Sequence, residues 1–545
     1  MSVPTLSKSI LTDRNSVYTE QDIIEIFVSP EEVPLLNASQ GSYLKFLLKV
    51  KADAAVTNCI AQPDPMSGGS AVIQTISIYD GANSQLLEQL EDFNTWTAMY
   101  YHYSKTQGLE NMRTLMEGVS PVEGRSLKSQ YFNFDPVDGT TYKNVECVVP
   151  LYMSGLLGQG QKLLPVIALN GIRIRIQLAK KEKALRALTQ VGYSKEGARY
   201  VGIRQINALP VAGALVAQAF AYQGAALAGG AANPGVFSVN TAGVDAAPAA
   251  ATNNIQALAD FSNIAYMVGQ DLYIEQTAPD PPLFAGTITG VASVAGRPTY
   301  TVAGGAANVG AAGIANGAKI YVDGNSLKAS FEMRNVEFVC SVVQASGETM
   351  NGLMRQVSSG GGIRLDYPSY NLYRQNLQAG IPRSELLVPC TERRACSIVS
   401  QPMRSVDKIF EDTLRPVGDE CLSYIWNIAN RLTPNRRVST RLVATKDEEA
   451  VQRLSWDAIH LHETEKAISR LDIVPRNLCE NARCFVIPRQ LAKDGHSFNA
   501  NENEIRLNVE YGSAADENVI NKLVGTWLYH IRTCVITPNS VAVEF

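Results

Sequence analysis

Residues 162–178 read KLLPVIALNGIRIRIQL, and this stretch decides the fold. An apolar run ends at Asn170-Gly171, a dipeptide typical of tight turns between antiparallel strands. From Ile172 to Leu178, isoleucine and leucine then alternate with arginine and glutamine, a period that places the apolar side chains on one face. The stretch predicts antiparallel β-structure, with one face of the strand in a core and the other in solvent.

Similar half-buried runs recur along the chain and predict a mostly β protein built from packed sheets. One segment differs: from Ser84 to Lys105, leucine and aromatic residues recur at three- and four-residue spacing, which predicts a helix. The segment from Glu448 to Leu471 fits either a helix or a strand. The predicted strands are Ile23 to Val28, Tyr43 to Val50, Val72 to Tyr79, Phe331 to Val343, Leu386 to Val399, Glu504 to Glu510 and Ile531 to Phe545.

Length and composition narrow the class of protein. A chain of 545 residues is longer than one hydrophobic core usually supports, so we expect at least two domains. The net charge of −4 gives no general attraction to nucleic acid. Nine scattered cysteines are typical of a protein that folds in a reducing intracellular compartment. Because residues 1–16 lack a continuous apolar segment and no apolar run reaches the roughly 18 residues that span a bilayer, we expect a soluble protein without a signal peptide.

The chain divides by composition into two β-rich halves. Residues 1–20 form a polar N-terminal arm, and residues 21–346 form the first β-rich unit. That unit contains an Ala/Gly-rich insertion at about residues 186–320, which we expect to be an ordered surface excursion. Residues 347–362 combine a linker helix with a glycine hinge, and residues 363–545 form the second unit.

The motifs of common enzymes are missing from the sequence. The glycines of GLLGQGQK (residues 155–162) match neither a P-loop nor a dinucleotide fingerprint, and no Gly-x-Ser-x-Gly elbow is present. We therefore predict a protein that is not an enzyme, with no catalytic residues, no cofactor and no bound metal.

Two alternatives remain open at this point. His460 and His462, two residues apart on a strand, could begin a cupin-like metal site, although the glutamate and glycine of that motif are not at the expected positions. A glycan-binding β-sandwich would need a carboxylate beside an aromatic platform, for which Asp366 with Tyr367 and Tyr370 is the nearest candidate.

Two groups of residues are candidate subunit contacts. Arginines surround a Pro-Asn turn at residues 431–437 and could contact phosphates or form the polar rim of a protein interface, and the interface is favoured. Three tyrosines from residue 367 to residue 373 could anchor such an interface. The candidate interface residues are Arg431, Arg436, Arg437, Tyr367, Tyr370 and Tyr373.

Several of these segments together resemble a known family. LYMSGLLGQGQKLLPVIALNGIRIRIQL (151–178), FEMRNVEFVCSVVQ (331–344), LLVPCTERRACSIVSQP (386–402) and NARCFVIPRQL (481–491) are similar to the double jelly-roll major capsid proteins of double-stranded DNA viruses. The polinton-like virus and virophage members look nearest. SYNLYRQN (369–376) follows in the expected order, and the Ala/Gly-rich insertion has no counterpart in the family.

The resemblance implies an all-β fold with a few short helices, in which two jelly-roll β-sandwiches lie in tandem. It also implies a structural protein of the virion that forms a homotrimer, a pseudo-hexameric capsomer, and tiles an icosahedral shell. Its partners would be other trimers, with penton and minor capsid proteins, and it would have no membrane-spanning segment and bind no specific nucleic acid. Folding and assembly would take place inside the infected host cell. We further expect Ser2 to Tyr18 to order only on assembly.

Overall fold

The fold is given by a computed structural model of the chain. The structure describes residues 5–12, 16–38, 41–52, 59–64, 67–103, 113, 115–118, 144–158, 163–189, 220–223, 228–232, 236–241, 271–274, 283–294, 297–306, 308, 313, 320–322, 329–359, 362–378, 380–404, 421–428, 438–439, 466–467, 486–492, 497–511, 522–538 and 540–544.

The first part of the chain is β-rich, with short helices between strands. Helix α1 spans Phe93–Tyr103, helix α2 spans Lys181–Ala184, and 3-10 helices span Gly68–Val72 and Val166–Leu169. The strands are β1 (Thr5–Leu11), β2 (Val17–Tyr18), β3 (Ile23–Val28), β4 (Leu36–Asn37), β5 (Tyr43–Ala52), β6 (Cys59–Pro63), β7 (Ile73–Asp80), β8 (Leu86–Glu91), β9 (Val145–Pro150), β10 (Leu163–Leu164), β11 (Ile172–Leu178) and β12 (Leu185–Thr189).

The described residues of the Ala/Gly-rich range form a sheet of their own, followed by a long strand and a helix. The sheet has the order β13-β14-β17-β16-β15-β18. Helix α3 (Gly347–Ser358) begins at Ser346, whose hydroxyl accepts a hydrogen bond from the backbone N–H of Thr349. The strands are β13 (Phe220–Gln223), β14 (Val236–Thr241), β15 (Asp271–Ile274), β16 (Leu283–Val294), β17 (Arg297–Gly304), β18 (Ile320–Val322) and β19 (Ala329–Val343).

The second part of the chain repeats the β-rich pattern. Its strands are β20 (Ile363–Leu377), β21 (Arg383–Val388), β22 (Ala395–Arg404), β23 (Cys421–Ile428), β24 (Val438–Ser439), β25 (Ile487–Gln490), β26 (Ile505–Tyr511), β27 (Lys522–Ile536) and β28 (Val541–Glu544). The last of these pairs with the end of β27, so the final described strand is part of a sheet.

The two halves share one strand order. In chain order, the main strands of the first half are β1, β3, β5, β7, β8, β9, β11 and β19, and those of the second are β20 to β27. Numbered one to eight within each half, they form one sheet of order 1-8-3-6 and another of order 2-7-4-5, and every pair is antiparallel. This is the connectivity of a jelly roll. The prediction of an all-β protein with two jelly-roll sandwiches in tandem is confirmed.

Strand β11 shows why the sequence folds this way. Its alternate residues Ile172, Ile174, Ile176 and Leu178 are buried, while Arg173 and its neighbours on the other face are half-buried or exposed. Strand β11 lies between β3 and β7, so the buried face contributes to a core shared by both neighbours. The period-two pattern therefore predicted the strand correctly.

The Asn170-Gly171 turn, in contrast, does not join two paired strands. Both residues have positive φ, 55° and 101°, and they follow the 3-10 helix Val166–Leu169. The preceding strand β10 pairs with β4 in the other sheet. The dipeptide thus turns the chain from one sheet of the sandwich to the other.

Three other expectations need correction. The segment from Ser84 to Lys105 is not one helix, because its leucines form strand β8 beside β7, and α1 begins only after Asp92, whose φ is +47°. The run from Leu386 to Val399 is two strands, β21 and β22, in different sheets. Residues 5–11 are not a free arm, since β1 pairs with β19 along its whole length. The ambiguous segment Glu448 to Leu471 lies outside the described residues, except for residues 466–467.

Replacing Gly171 by alanine is expected to lower the free energy of unfolding by about 1–3 kcal/mol. Its φ is +101°, and a Cβ atom there would lie 2.8 Å from Phe27 Cε2 and 2.9 Å from the carbonyl oxygen of Val28. Urea unfolding followed by circular dichroism measures the change. Asn170→Gly is the control, because glycine adopts a φ of 55° freely, and its effect should stay below about 1 kcal/mol. Equal losses in both variants would contradict this account of the turn.

Candidate functional site

The two sandwiches meet in a buried contact that we call the joint. The first sandwich contributes β8, α1 and residues 154–156, and the second contributes β20 and β27. One hydrophobic cluster includes the core of the first sandwich together with Tyr367, Tyr370 and Trp527 of the second. The remaining core of the second sandwich forms a separate cluster. The joint is therefore continuous with the core of the first sandwich.

Three aromatic rings form the centre of the joint. Trp96 on α1 is 1% exposed, and its ring centroid lies 5.0 Å from that of Tyr370 and 5.3 Å from that of Trp527. The planes of Trp96 and Trp527 are 30° apart, a stacked arrangement. Aromatic pairs of this kind contribute about 0.5–1.5 kcal/mol beyond their buried area. Burial of the three rings makes α1 an anchor between the sandwiches.

Hydrogen bonds from the second sandwich cover an edge of the first. Strand β8 is the last strand of its sheet, so part of its backbone has no strand partner there. The Tyr367 hydroxyl and the Arg532 guanidinium both donate to the carbonyl oxygen of Leu87, the latter at 3.3 Å. The Tyr370 hydroxyl donates to the carbonyl oxygen of Glu91 at 3.2 Å. Because buried carbonyl groups need partners, these side chains fix the position of one sandwich on the other.

A buried carboxyl group organises the loop next to β8. Glu88 is fully buried and accepts hydrogen bonds from the Ser154 hydroxyl at 2.5 Å and from the backbone N–H groups of Gly155 at 2.9 Å and Leu156 at 3.4 Å. Burial raises the pKa of Glu88, although these hydrogen bonds and the charge of Arg532 act in the opposite direction. Glu88 thereby holds residues 154–156 against the joint.

Gly155 lies at a close approach between the two backbones. A Cβ atom at residue 155 would overlap the carbonyl oxygen of Pro368 in β20. No other amino acid fits there without moving the second sandwich. At the rim, Arg374 lies 3.2 Å from Glu91 and 3.0 Å from Asp92, in partly exposed pairs that contribute up to about 1 kcal/mol each.

Arg532 is held in place by a buried histidine. The Nε atom of Arg532 donates a hydrogen bond to Nε2 of His530 at 3.0 Å. Because Nε2 accepts this bond, it carries no proton. Burial and the charge of Arg532 lower the pKa of His530 from 6.5 to about 3. His530 is therefore neutral at physiological pH and acts as an acceptor that orients the guanidinium.

The structure reassigns two of the candidate interface tyrosines. Tyr367 and Tyr370 are 4% and 2% exposed within a single chain, so they serve the joint and present almost no surface to another subunit. Tyr373 is half-buried, and its hydroxyl donates to Glu392 at 2.5 Å. The arginines at residues 431, 436 and 437 lie outside the described residues.

Of the two alternative functions, only the glycan-binding one involves residues that the structure describes. Asp366 bonds Arg394 and Thr533, and the two tyrosines beside it in sequence are buried, so no exposed aromatic platform accompanies this carboxylate. His460 and His462 lie outside the described residues. Among the residues that are described, no group of three or more His, Cys, Asp and Glu side chains could hold a metal ion. Within that same part of the chain, no helix is long and apolar enough to cross a membrane.

Sequence reasoning missed several residues of the joint. Trp527 and Arg532 belong to β27, of which only the end was predicted as a strand, although the run from Leu523 to Ile536 is rich in apolar and aromatic residues. Glu88 carried a usable signal, since it is a charged residue within the apolar pattern LLEQLE of β8. A charge at a core position often marks a buried, hydrogen-bonded group.

Replacing Gly155 by alanine is expected to lower the free energy of unfolding by about 1–3 kcal/mol, because the methyl group forces the sandwiches apart at Pro368. Chemical denaturation measures the loss. Gly352→Ala is the matched control: it lies in α3 with open space around it, and alanine should be neutral or stabilise the helix by up to about 1 kcal/mol. A wild-type midpoint for Gly155→Ala would contradict the close approach.

Replacing His530 by glutamine is expected to reduce the acid sensitivity of the fold. The folded pKa of about 3 lies below the ordinary histidine pKa of 6.5, so the folded state binds fewer protons than the unfolded state, and stability falls as pH decreases below 6.5. Glutamine can still accept from Arg532 but does not titrate. Unfolding free energies measured from pH 7 to pH 5 should therefore fall less in His530→Gln than in wild type. Parallel curves for the two proteins would show that His530 does not contribute.

Comparison with known proteins finds similarity at the level of structure. No protein-family model matches the chain, and no curated protein sequence matches it. The Faustovirus major capsid protein is 9% identical, with a TM-score of 0.47 over 98% of this chain and 91% of that one. The PBCV-1 virus capsid model is 8% identical, with a TM-score of 0.45 over 100% and 98%. The cryo-EM structure of the Sputnik virophage gives 7% identity and a TM-score of 0.45 over 99% and 88%.

One of these solved structures is described as a major capsid protein, and another as a virus capsid. At such identities, the fold assignment rests on the strand order of the chain itself. Because both sandwiches have jelly-roll connectivity and lie in tandem in one polypeptide, the chain has the double jelly-roll fold.

Proposed function

We propose that the chain is a major capsid protein, a structural protein without enzymatic activity, which forms trimers that tile an icosahedral viral shell. The observation that carries this proposal is the joint, which fastens two sandwiches of identical connectivity into one block. Three such chains would supply six similar sandwiches, enough for a pseudo-hexagonal capsomer. A rigid block of this kind suits a shell, where identical copies must meet at fixed angles.

The joint is heterologous, since it uses different surfaces of the two sandwiches. The first contributes its fifth main strand, β8, and the second contributes its first and eighth, β20 and β27. The corresponding surfaces on the opposite sandwiches are the edge at β24 and the surface formed by β1 and by β19, the strand that pairs with β5. Among the described residues, neither belongs to the joint. Contacts that pair unlike surfaces can repeat from copy to copy until a ring closes.

The outer face of β5 and β19 has the chemistry of a polar interface. Alternate residues of β5 point away from the core, and Lys45 lies 3.2 Å from Glu146 on β9. Glu332 on β19 pairs with Lys51 and, at 3.1 Å, with Arg334. Such charged pairs give register and specificity to a contact more than they give affinity. We infer that the second sandwich of a neighbouring chain packs on this face.

The insertion and the Arg431 to Arg437 segment also have roles in the proposed shell. The six-stranded sheet of the insertion would project from the first sandwich as an outer tower, since the insertion connects β11 to β19. The Arg431 to Arg437 segment would contact neighbouring trimers, or penton and minor capsid proteins. The protein would assemble in the infected cell and reside in the virion.

Light scattering of the purified chain tests this function. We expect a mass of about three times 59.1 kDa and, in negative stain, pseudo-hexagonal particles. Lys45→Glu should shift the mass toward one chain, because it places like charges beside Glu146 and Glu337. Its thermal midpoint should stay near that of wild type, since the pair is partly exposed and contributes at most about 1 kcal/mol.

Arg383→Glu is the matched control for this charge reversal. Arg383 pairs with Glu510 at 2.7 Å across β21 and β26, at the opposite side of its sheet from β24, so the trimer should persist. A wild-type chain that is monomeric at all concentrations would refute the proposed trimer. A trimer that Lys45→Glu leaves intact would place the contact on another surface.

A further inference from the structure

An open groove lies at one end of the second sandwich. Its volume is about 850 Å³, and strands β20, β27 and β28 contribute to it together with the loop before β22. Thr533 is the register partner of both Asp366 and Glu544, so these three residues form one row across β20, β27 and β28. The lining residues are Arg364, Asp366, Thr391, Arg393, Arg394, Asn501, Thr533 and Glu544.

Two of the three arginines in the groove are already paired. Arg394 donates to Asp366 at 3.1 Å and to Thr533 at 2.8 Å, and Thr533 also donates to Asp366 at 2.5 Å. Arg364 bonds both carboxylate oxygens of Glu544 at 3.1 Å. Arg393 is exposed and forms no ion pair with any residue in the described part of the chain. The groove therefore offers one guanidinium group for an anionic ligand.

Strand β28 presents a second, independent feature beside the groove. Its four residues pair with β27 along one edge. Its other edge has no strand partner or backbone hydrogen bond within the described residues. Val541 and Val543 are half-buried, whereas Ala542 and Glu544 are exposed. An open edge of this kind can accept an added strand from another chain.

We propose that this end of the second sandwich binds an extended peptide segment of another protein that carries a carboxylate side chain. The segment adds to the free edge of β28 as a further strand, and its carboxylate enters the groove and pairs with Arg393. Backbone hydrogen bonds supply affinity in this mode of binding, and side-chain pockets supply specificity. A bidentate arginine–carboxylate pair fixes the register of the segment. This inference does not depend on the capsid function.

The charges of the groove favour a peptide over a nucleic acid. Asp366 and Glu544 lie in the same row as Thr533, so a polyanionic backbone would meet two carboxylates for each free arginine. A peptide with one acidic side chain avoids this repulsion. The volume of about 850 Å³ also exceeds what a single inorganic anion would fill.

Fluorescence anisotropy with the full-length protein at low ionic strength tests the proposal. The probe is a labelled, end-capped peptide of sequence Thr-Val-Glu-Val-Thr-Val, about the length of one strand. A second peptide with lysine in place of glutamate controls for charge. We expect saturable binding of the acidic peptide, at least tenfold weaker binding of the lysine peptide, and at least tenfold weaker binding of the acidic peptide to Arg393→Glu. Arg383→Glu, which changes an exposed arginine on another sheet, should bind as wild type does.

Hydrogen exchange locates the bound peptide. Amides of residues 541–544 should exchange more slowly when the acidic peptide is bound, whereas those of β21 should not change. No binding of the acidic peptide, equal binding of both peptides, full affinity in Arg393→Glu, or unchanged exchange at β28 would each overturn the proposal. A lower solution mass of Arg393→Glu without peptide would overturn it too, since the occupant would then be a second copy of the chain. Because the trimer is measured without peptide, these failures leave the proposed function unaffected.

Discussion

The architecture depends on how the second sandwich covers the edge of β8 that has no strand partner. A sheet that ends in a buried place leaves backbone groups that need partners, and an unpaired carbonyl there costs more than a hydrogen bond gains. The second sandwich meets this need at Leu87 and Glu91 with side-chain donors from Tyr367, Tyr370 and Arg532. The two sandwiches consequently behave as one body, because separating them would expose three large aromatic rings and leave these polar groups unsatisfied.

Strands with one buried face and one face in solvent could be predicted from the sequence, because the two faces select different types of residue. In β11, every second residue is buried and the rest contact solvent, so the period of two is visible in the residue types themselves. The same logic failed for β8, because a register shift at Leu87 interrupts the alternation of buried residues, and the spacing of the leucines then imitates a helix. Strand β1 has no regular alternation of apolar and polar residues, because backbone pairing with β19 does not require one, and its sequence therefore predicts an arm.

The tyrosines of β20 show what sequence cannot distinguish. The sequence predicts these aromatic residues as subunit contacts, but contacts inside a chain and contacts between chains are made by the same side chains. Only the position of Trp96 beside Tyr370 establishes that these rings serve the joint. Arg532 was missed for a related reason, since it meets Leu87 and Glu88, on a strand far away in sequence, only in the folded chain.

The placement of β19 has a consequence for how the chain folds. This strand lies in the middle of the first sandwich, yet it follows the insertion, and Ser9 bonds Glu337 across 328 residues. The first sheet therefore cannot close during synthesis until the ribosome has completed the insertion, and contacts so distant make folding slow. Closure entropy, however, grows only with the logarithm of loop length, so doubling the insertion would cost about 0.6 kcal/mol. The connection between β11 and β19 is thus a place where evolution can exchange or enlarge a domain while the sandwiches remain unchanged.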